Sequence, residues 1–284
     1  MDHAEGLLST APLPLLGLLV FAVLIAAMQM GALVKRRMNR REGGGNSEEG
    51  YIVSGALGLM ALLLGFTFNL AIDRYDHRRE LALEEANAIG TTYLRAQMLE
   101  EPARTRVSTL LQRYSANHLA LAEASDPRKR EALLAQSDEG QIRLWRATIE
   151  AIRPVANDTV SRPFLEAMNA TIDAGAARVA ARRAHVPPRV LATLLLYMAI
   201  SAFILGCVSN GSRWRPAPSV LLALFSLAYI LTIDIDRPNG GAIREPQAAI
   251  VDVLTMMRAH PPGSFDPPAP SAAQPSLPPA SAQR

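Results

Sequence analysis

The chain has 284 residues, 49% of them hydrophobic and only 5% aromatic, with a formal net charge of +3. That charge is too small to imply nucleic acid as a partner, and the apolar residues fall in runs, which excludes an ordinary soluble domain. The single cysteine, Cys207, rules out an intramolecular disulfide and sits in an apolar run where a buried, inert thiol is expected.

Residues 1–11 form a short N-terminal segment with Asp2 and Glu5 but no Lys or Arg. Pro12–Val34 then supplies about 20 apolar residues, enough to cross a hydrocarbon core of about 30 Å. A cleaved signal peptide needs a basic stretch before its apolar run. None is present here, so transmembrane helix 1 is expected over 12–34 as a retained anchor. The segment 35–50 is a basic, Gly-rich loop. Lys35, Arg36, Arg37, Arg40 and Arg41 come first, and Gly43, Gly44 and Gly45 make the rest a flexible linker. Lys35 and Lys129 are the only lysines in an otherwise Arg-based chain, a composition expected of a high-GC bacterial genome.

Transmembrane helix 2 is expected over 51–72. Ser54, Gly58, Ala61, Gly65 and Asn69 recur at helical spacing. Small residues let helices approach closely in lipid, so this face serves either helix packing or a pathway lining with Asn69 as a polar contact. The pattern turns charged at Asp73 without a Pro or any turn signal, which predicts one long helix leaving the bilayer for water. Beyond it, Ala82, Ala86 and Gly90, with Ile89 and Tyr93, make a second narrow packing face. Arg74, Arg78, Arg79, Glu80, Glu84 and Glu85 read as the solvated side of that helix.

Residues 73–186 read as an extramembrane helical domain. Val107, Leu110, Leu111, Tyr114, His118 and Leu121 form one apolar stripe. Asp126-Pro127 starts another helix, on which Ile142, Trp145, Ile149 and Ile152 are spaced three and four apart. Val160, Phe164, Met168, Ile172 and Val179 mark a further helix, which ends before Pro187-Pro188. No segment alternates with period two. Transmembrane helices 3 and 4 are expected over 189–208 and 219–235, joined by the polar turn SNGSRWRPAP. An amphipathic post-membrane segment follows over 236–260. The Pro-, Ala- and Ser-rich tail, 261–284, is expected to be disordered. The fold class is all-α: a four-span helical membrane protein with a helical-bundle insertion between spans 2 and 3.

Loop charge sets orientation. A raw count of arginines favours the large insertion inside. Long loops, however, translocate largely regardless of charge, and the first span has acidic residues before it and basic ones after. This places both termini and the helical domain outside the cytoplasm, in an inner (plasma) membrane.

No HExxH, CxxC, GxSxG or GxxxxGK motif occurs, and no pair of Glu-x-x-His motifs. An enzyme, a metal or another cofactor is therefore not expected; His77, near Glu80 and Glu84, reads as a surface histidine. The charges at the membrane boundary stand out instead. Asp73 and Arg74 leave span 2, and Asp234, Asp236 and Arg237 leave span 4. Ionisable groups this near hydrocarbon pair with one another or line a wet cavity.

The run LGFTFNLAIDRYDHRRELALEEANAIGTTYLRAQMLEEPAR resembles the start of the bacterial bestrophin-like domain family. Glu85, Asn87, Gly90, Thr92 and Arg95 carry that resemblance. The segment IDIDRPNGGAIREPQ resembles the family's closing signature, with Glu245-Pro246 as a departure. Together they bracket about residues 55–255. The resemblance implies kinship with bestrophins, which are oligomeric anion channels with four spans per subunit and a cytosolic segment between spans 2 and 3, opposite to the side inferred from charge. It assigns no pore residue to this chain. Two functions follow as expectations. One is a homo-oligomeric channel in the lipid bilayer; the other is a membrane-anchored scaffold whose helical domain binds a partner in the cell envelope.

Overall fold

The computed structural model describes residues 12–39, 48–155, 158–208, 216–238 and 241–267. The N-terminal segment 1–11, Arg40, Arg41 and the three linker glycines, most of the turn between spans 3 and 4, and the tail from 268 lie outside the described residues. Eight helices make up the described chain: α1 Leu13–Asn39, α2 Glu48–Ala96, α3 Ala103–Glu123, α4 Pro127–Ile152, α5 Asp158–Arg183, α6 Pro188–Val208, α7 Pro216–Asp236 and α8 Ala248–Ala259. No strand occurs among them. α1, the first half of α2, α6 and α7 are long and apolar enough to cross a membrane. The chain is a four-span, all-helical membrane protein.

α2 is the axis of the molecule. Its 49 residues run without a break, about 74 Å at the α-helical rise. The apolar half packs on α6 and α7, and the charged half on α3, α5 and α8. α1 closes the membrane layer against α6 and α7. The breaks between helices have local causes. Asp126 caps α4, its carboxylate accepting the Arg128 amide at 3.0 Å, and Pro127 fills the first helical position, where no donor is needed.

Two apolar cores result. The membrane core contains Leu24, Met60, Leu64, Ala71, Val186, Met198 and Ile233. The bundle core contains Ala86, Ile89, Tyr93, Leu111, Phe164, Met168 and Leu254. The stripe of α3 faces the core as its spacing predicts: Val107, Leu111, Tyr114, His118 and Leu121 are buried and Leu110 is half-buried.

α4 departs from its sequence pattern. Ile142, Trp145 and Ile149 are exposed, at 60%, 38% and 38%, and of the stripe only Ile152 packs on the bundle core, whereas Leu144, Ala147, Thr148 and Ala151 face it. Small residues and a threonine that donates to the Leu144 carbonyl at 2.9 Å make the inner face, which lets α4 lie close to α3.

Close packing in the membrane sits elsewhere than on the small stripe of α2. A Cβ added at Gly31 of α1 would lie 2.0 Å from the Phe203 carbonyl oxygen of α6. One added at Gly206 of α6 would lie 1.9 Å from the Met28 carbonyl oxygen of α1. The two backbones touch where both lack side chains.

Candidate functional site: a buried charge layer and the outer face of α2

Between the two cores lies a layer of buried ionisable groups, and the chain crosses it on α2, from α5 into α6, and from α7 into α8. Arg78 and Glu85, read from the sequence as solvated, are 1% and 0% exposed. They are seven residues apart and so share the inner side of α2 with Ala71, Ala82 and Ala86.

Glu85 is the hub. Its Oε2 accepts from Arg178 Nη1 at 2.6 Å, and its Oε1 lies 2.5 Å from His118 Nδ1. The other ring nitrogen, Nε2, lies 2.6 Å from Ser137 Oγ. Arg178 continues the network through Nη2 to Glu245 at 3.1 Å and to Gln247. Arg182 donates to the second oxygen of Glu245 at 2.6 Å and to the Ala122 carbonyl at 3.0 Å. Two carboxylates thus face two guanidinium groups, which is why the layer can be buried at all. Gly175 makes room: a Cβ there would lie 2.0 Å from the Tyr114 hydroxyl and 3.1 Å from Glu85.

Burial alone would raise the Glu85 pKa, but His118 and then Arg178 act the other way and the net shift is downward. A carboxylate whose pKa is depressed by folding binds its proton more weakly in the native than in the unfolded chain. Its stabilisation is therefore present above about pH 4.5, the ordinary glutamate value, and is lost as pH falls through the native pKa. The melting-temperature gap between the native chain and a Glu85→Gln variant is expected to be widest near neutral pH and to narrow below pH 4.5. A gap unchanged between pH 7 and pH 4 would contradict this.

The boundary charges do not form one cluster. Asp234 Oδ1 accepts the Ala242 amide at 2.7 Å, and a Cβ at Gly241 would come within 2.2 Å of that oxygen, so this turn requires glycine. Asp236 accepts the Val186 amide at 3.0 and 3.1 Å, tying the α5–α6 link to the end of α7. Arg78 donates to the Ile235 carbonyl at 2.7 Å. Burial lowers its pKa, against the opposing pull of Asp236 and Glu245. Arg237 is buried, Arg74 is half-buried, and Asp73 is exposed, accepting from Asn69 Nδ2 at 3.2 Å.

The remaining signature residues divide by side. Thr92 is buried and hydrogen-bonds at 2.8 Å to the Ala167 carbonyl and to Thr171. Arg95 donates to the Pro163 carbonyl, Gly90 packs on Val253 and Met256 of α8, and Asn87 faces outward.

Ser54, Gly58, Ala61, Gly65 and Asn69 are all exposed. Cβ atoms added at Gly58 or Gly65 would meet nothing within 4 Å. This face points away from its own subunit. At about 100° per residue it continues down α2 through Asp73, Asp76, Glu80, Leu83, Asn87 and Leu94, all within about 40° of Asn69 and all exposed. Among the described residues no group of three His, Cys, Asp or Glu side chains is arranged to hold a metal.

A long helix shared by a membrane layer and a helical bundle, with a paired charge layer between them, defines a multi-span helical membrane protein in which the outer face of α2 is left uncovered by its own chain. Residues 16–248 match the Bestrophin-like domain, and the chain belongs to that family. Solved structures share the fold. A bacterial bestrophin homologue from Klebsiella pneumoniae superposes with a TM-score of 0.63 at 17% identity, over 88% of this chain and 100% of that one. Two crystal structures of a membrane protein give TM-scores of 0.66 and 0.64 at 15% and 16% identity, over 85% and 87% of this chain and 97% and 99% of theirs. No curated protein sequence matches the chain.

Proposed function

We propose that the chain assembles as a homo-oligomer in the plasma membrane and that the outer face of α2, turned toward a shared axis, borders an ion pathway. One observation carries this reading. Ser54, Gly58, Ala61, Gly65 and Asn69 are exposed, yet small or polar, while Leu59, Phe66 and Leu70 beside them suit lipid. Leu62 and Tyr51 are exposed on the same side, but the glycines, serine and asparagine of this face gain little from acyl chains and fit a neighbouring copy or water. The resemblance to bestrophins implies an anion as the ion carried. A cation is favoured by the exposed carboxylates of Asp73, Asp76 and Glu80 on the same face, because rings of Asp and Glu select cations.

Flux from liposomes reconstituted with purified protein is expected to exceed that of empty liposomes. Gly65→Phe or Asn69→Phe is expected to cut it at least tenfold, and the reversal potential under a salt gradient gives the sign of the ion. Absence of flux from well-folded oligomers would favour the scaffold reading, for which the exposed Ile142, Trp145 and Ile149 of α4 supply a docking stripe.

For orientation, the basic run at the end of α1 supports a helical domain outside the cytoplasm, whereas the resemblance to bestrophins implies a cytosolic one. A periplasmic-type phosphatase fused after residue 120 is expected to be active; a stable but inactive fusion would assign the domain to the cytosol.

A further inference from the structure

A groove of about 290 Å³ opens between α2 and α6 on the lateral side of the membrane layer, away from the Asn69 face. Its walls are Leu63 and Thr67 of α2 and Val190 and Leu194 of α6. Along one edge runs a polar row, Arg189, Thr193 and Tyr197, spaced four apart on α6 and therefore on one side of that helix. Thr67 satisfies its own hydroxyl on the Leu63 carbonyl at 2.8 Å. The side chains of Arg189, Thr193 and Tyr197 have no hydrogen-bond partner among the described residues. In hydrocarbon the hydroxyls of Thr193 and Tyr197 require one.

The order of that row along the membrane normal names the occupant. Arg189 is the second residue of α6, at the boundary with the helical domain. Thr193 lies about 6 Å deeper at the helical rise. Tyr197 is a further turn down, but side chains on a helix lean toward its N-terminus, which brings the hydroxyl back up toward Thr193. A cation at headgroup depth, hydroxyl donors about 6 Å below it and an apolar trough beyond match, in sequence, the phosphate, the ester carbonyls and the acyl chain of a phospholipid.

We propose that this groove is a binding site for one anionic phospholipid per chain in the leaflet next to the helical domain. The guanidinium of Arg189 holds the phosphate, Thr193 and Tyr197 donate to the esters, and a chain lies between Leu63 and Leu194. The site is distinct from the proposed pathway face and does not depend on it.

Native mass spectrometry of the full chain, extracted in mild detergent and titrated with dioleoyl phosphatidylglycerol or dioleoyl phosphatidylcholine, tests the proposal. The native chain is expected to keep one phosphatidylglycerol per subunit in preference to phosphatidylcholine. Arg189→Gln is expected to weaken phosphatidylglycerol retention about tenfold, the scale of one lost charged hydrogen bond, while Arg189→Lys keeps most of it. Thr193→Trp, which fills the trough, is expected to abolish retention of both lipids. Glycerophosphate, a head without chains, is expected not to compete. Unchanged retention in Arg189→Gln and Thr193→Trp, each with native circular dichroism, would overturn the proposal. So would cross-linking of Thr193→Cys between copies in a Cys207→Ala background, which would show the groove filled by a neighbouring subunit.

Discussion

Replacing Glu85 with alanine is expected to destabilise the folded chain by about 3–5 kcal/mol, the range for removing one partner from a buried ion pair. The size follows from what remains. Arg178, with a side chain 3% exposed, would keep Glu245 but lose its 2.6 Å partner, and His118 would lose the carboxylate against its Nδ1. Neither side chain can reach water without opening the contact between α2 and α5. Arg178→Met is expected to have a comparable effect, and Glu85→Met combined with Arg178→Met to cost less than the sum, since both buried charges leave together. Chemical unfolding in detergent, followed by far-ultraviolet circular dichroism, measures this. Asn87→Ala, two residues away on the exposed side, is the control and is expected to change stability by less than about 0.5 kcal/mol. If Glu85→Ala proved as mild as Asn87→Ala, the charge layer would be no more than a surface network.

The second large effect belongs to the glycine contact between α1 and α6. Gly31→Leu or Gly206→Leu is expected to destabilise the membrane layer by roughly 3 kcal/mol or more, at or beyond the upper end for overpacking. The obstacle is backbone: the added carbon would sit about 2 Å from a carbonyl oxygen of the facing helix, and no rotamer relieves that. Between apolar helices in lipid, close packing is itself the main attraction, so separation forfeits most of the contact. Gly58→Ala is the matched control. Nothing lies within 4 Å of its added carbon, so the stability of the single chain is expected to hold. Thermal stability of the detergent-solubilised protein separates the two. Equal tolerance at Gly31 and Gly58 would contradict the close crossing of α1 and α6.

Helix positions were legible in the sequence because length, apolar runs and breakers act locally. The unbroken passage of α2 from lipid to water needed only the absence of a Pro or Gly break around Asp73. The orientation of charged side chains was less legible. Residues 73–85 look like a solvated run, yet Arg78 and Glu85 fall on the side of α2 that also carries Ala71 and Ala82. Tracing that side through the run would have marked both as buried.

The stripe of α4 failed for a different reason. Ile142, Trp145 and Ile149 have the spacing of a core face, but periodicity does not distinguish a face covered by its own chain from one left open. Gly31 and Gly206 are far apart in the chain, and no local pattern links them.

An ion pathway along α2 requires water to reach its outer face. Single cysteines placed at Gly58, Gly65 and Asn69, and at the lipid-suited Leu59 and Phe66, in a Cys207→Ala chain reconstituted in liposomes, read this directly through reaction with a charged, membrane-impermeant thiol reagent. Fast labelling is expected at Gly58, Gly65 and Asn69, and slow labelling at Leu59 and Phe66. Equal protection at all five positions would show the face sealed by lipid or by a dry helix contact, and would contradict a pathway there.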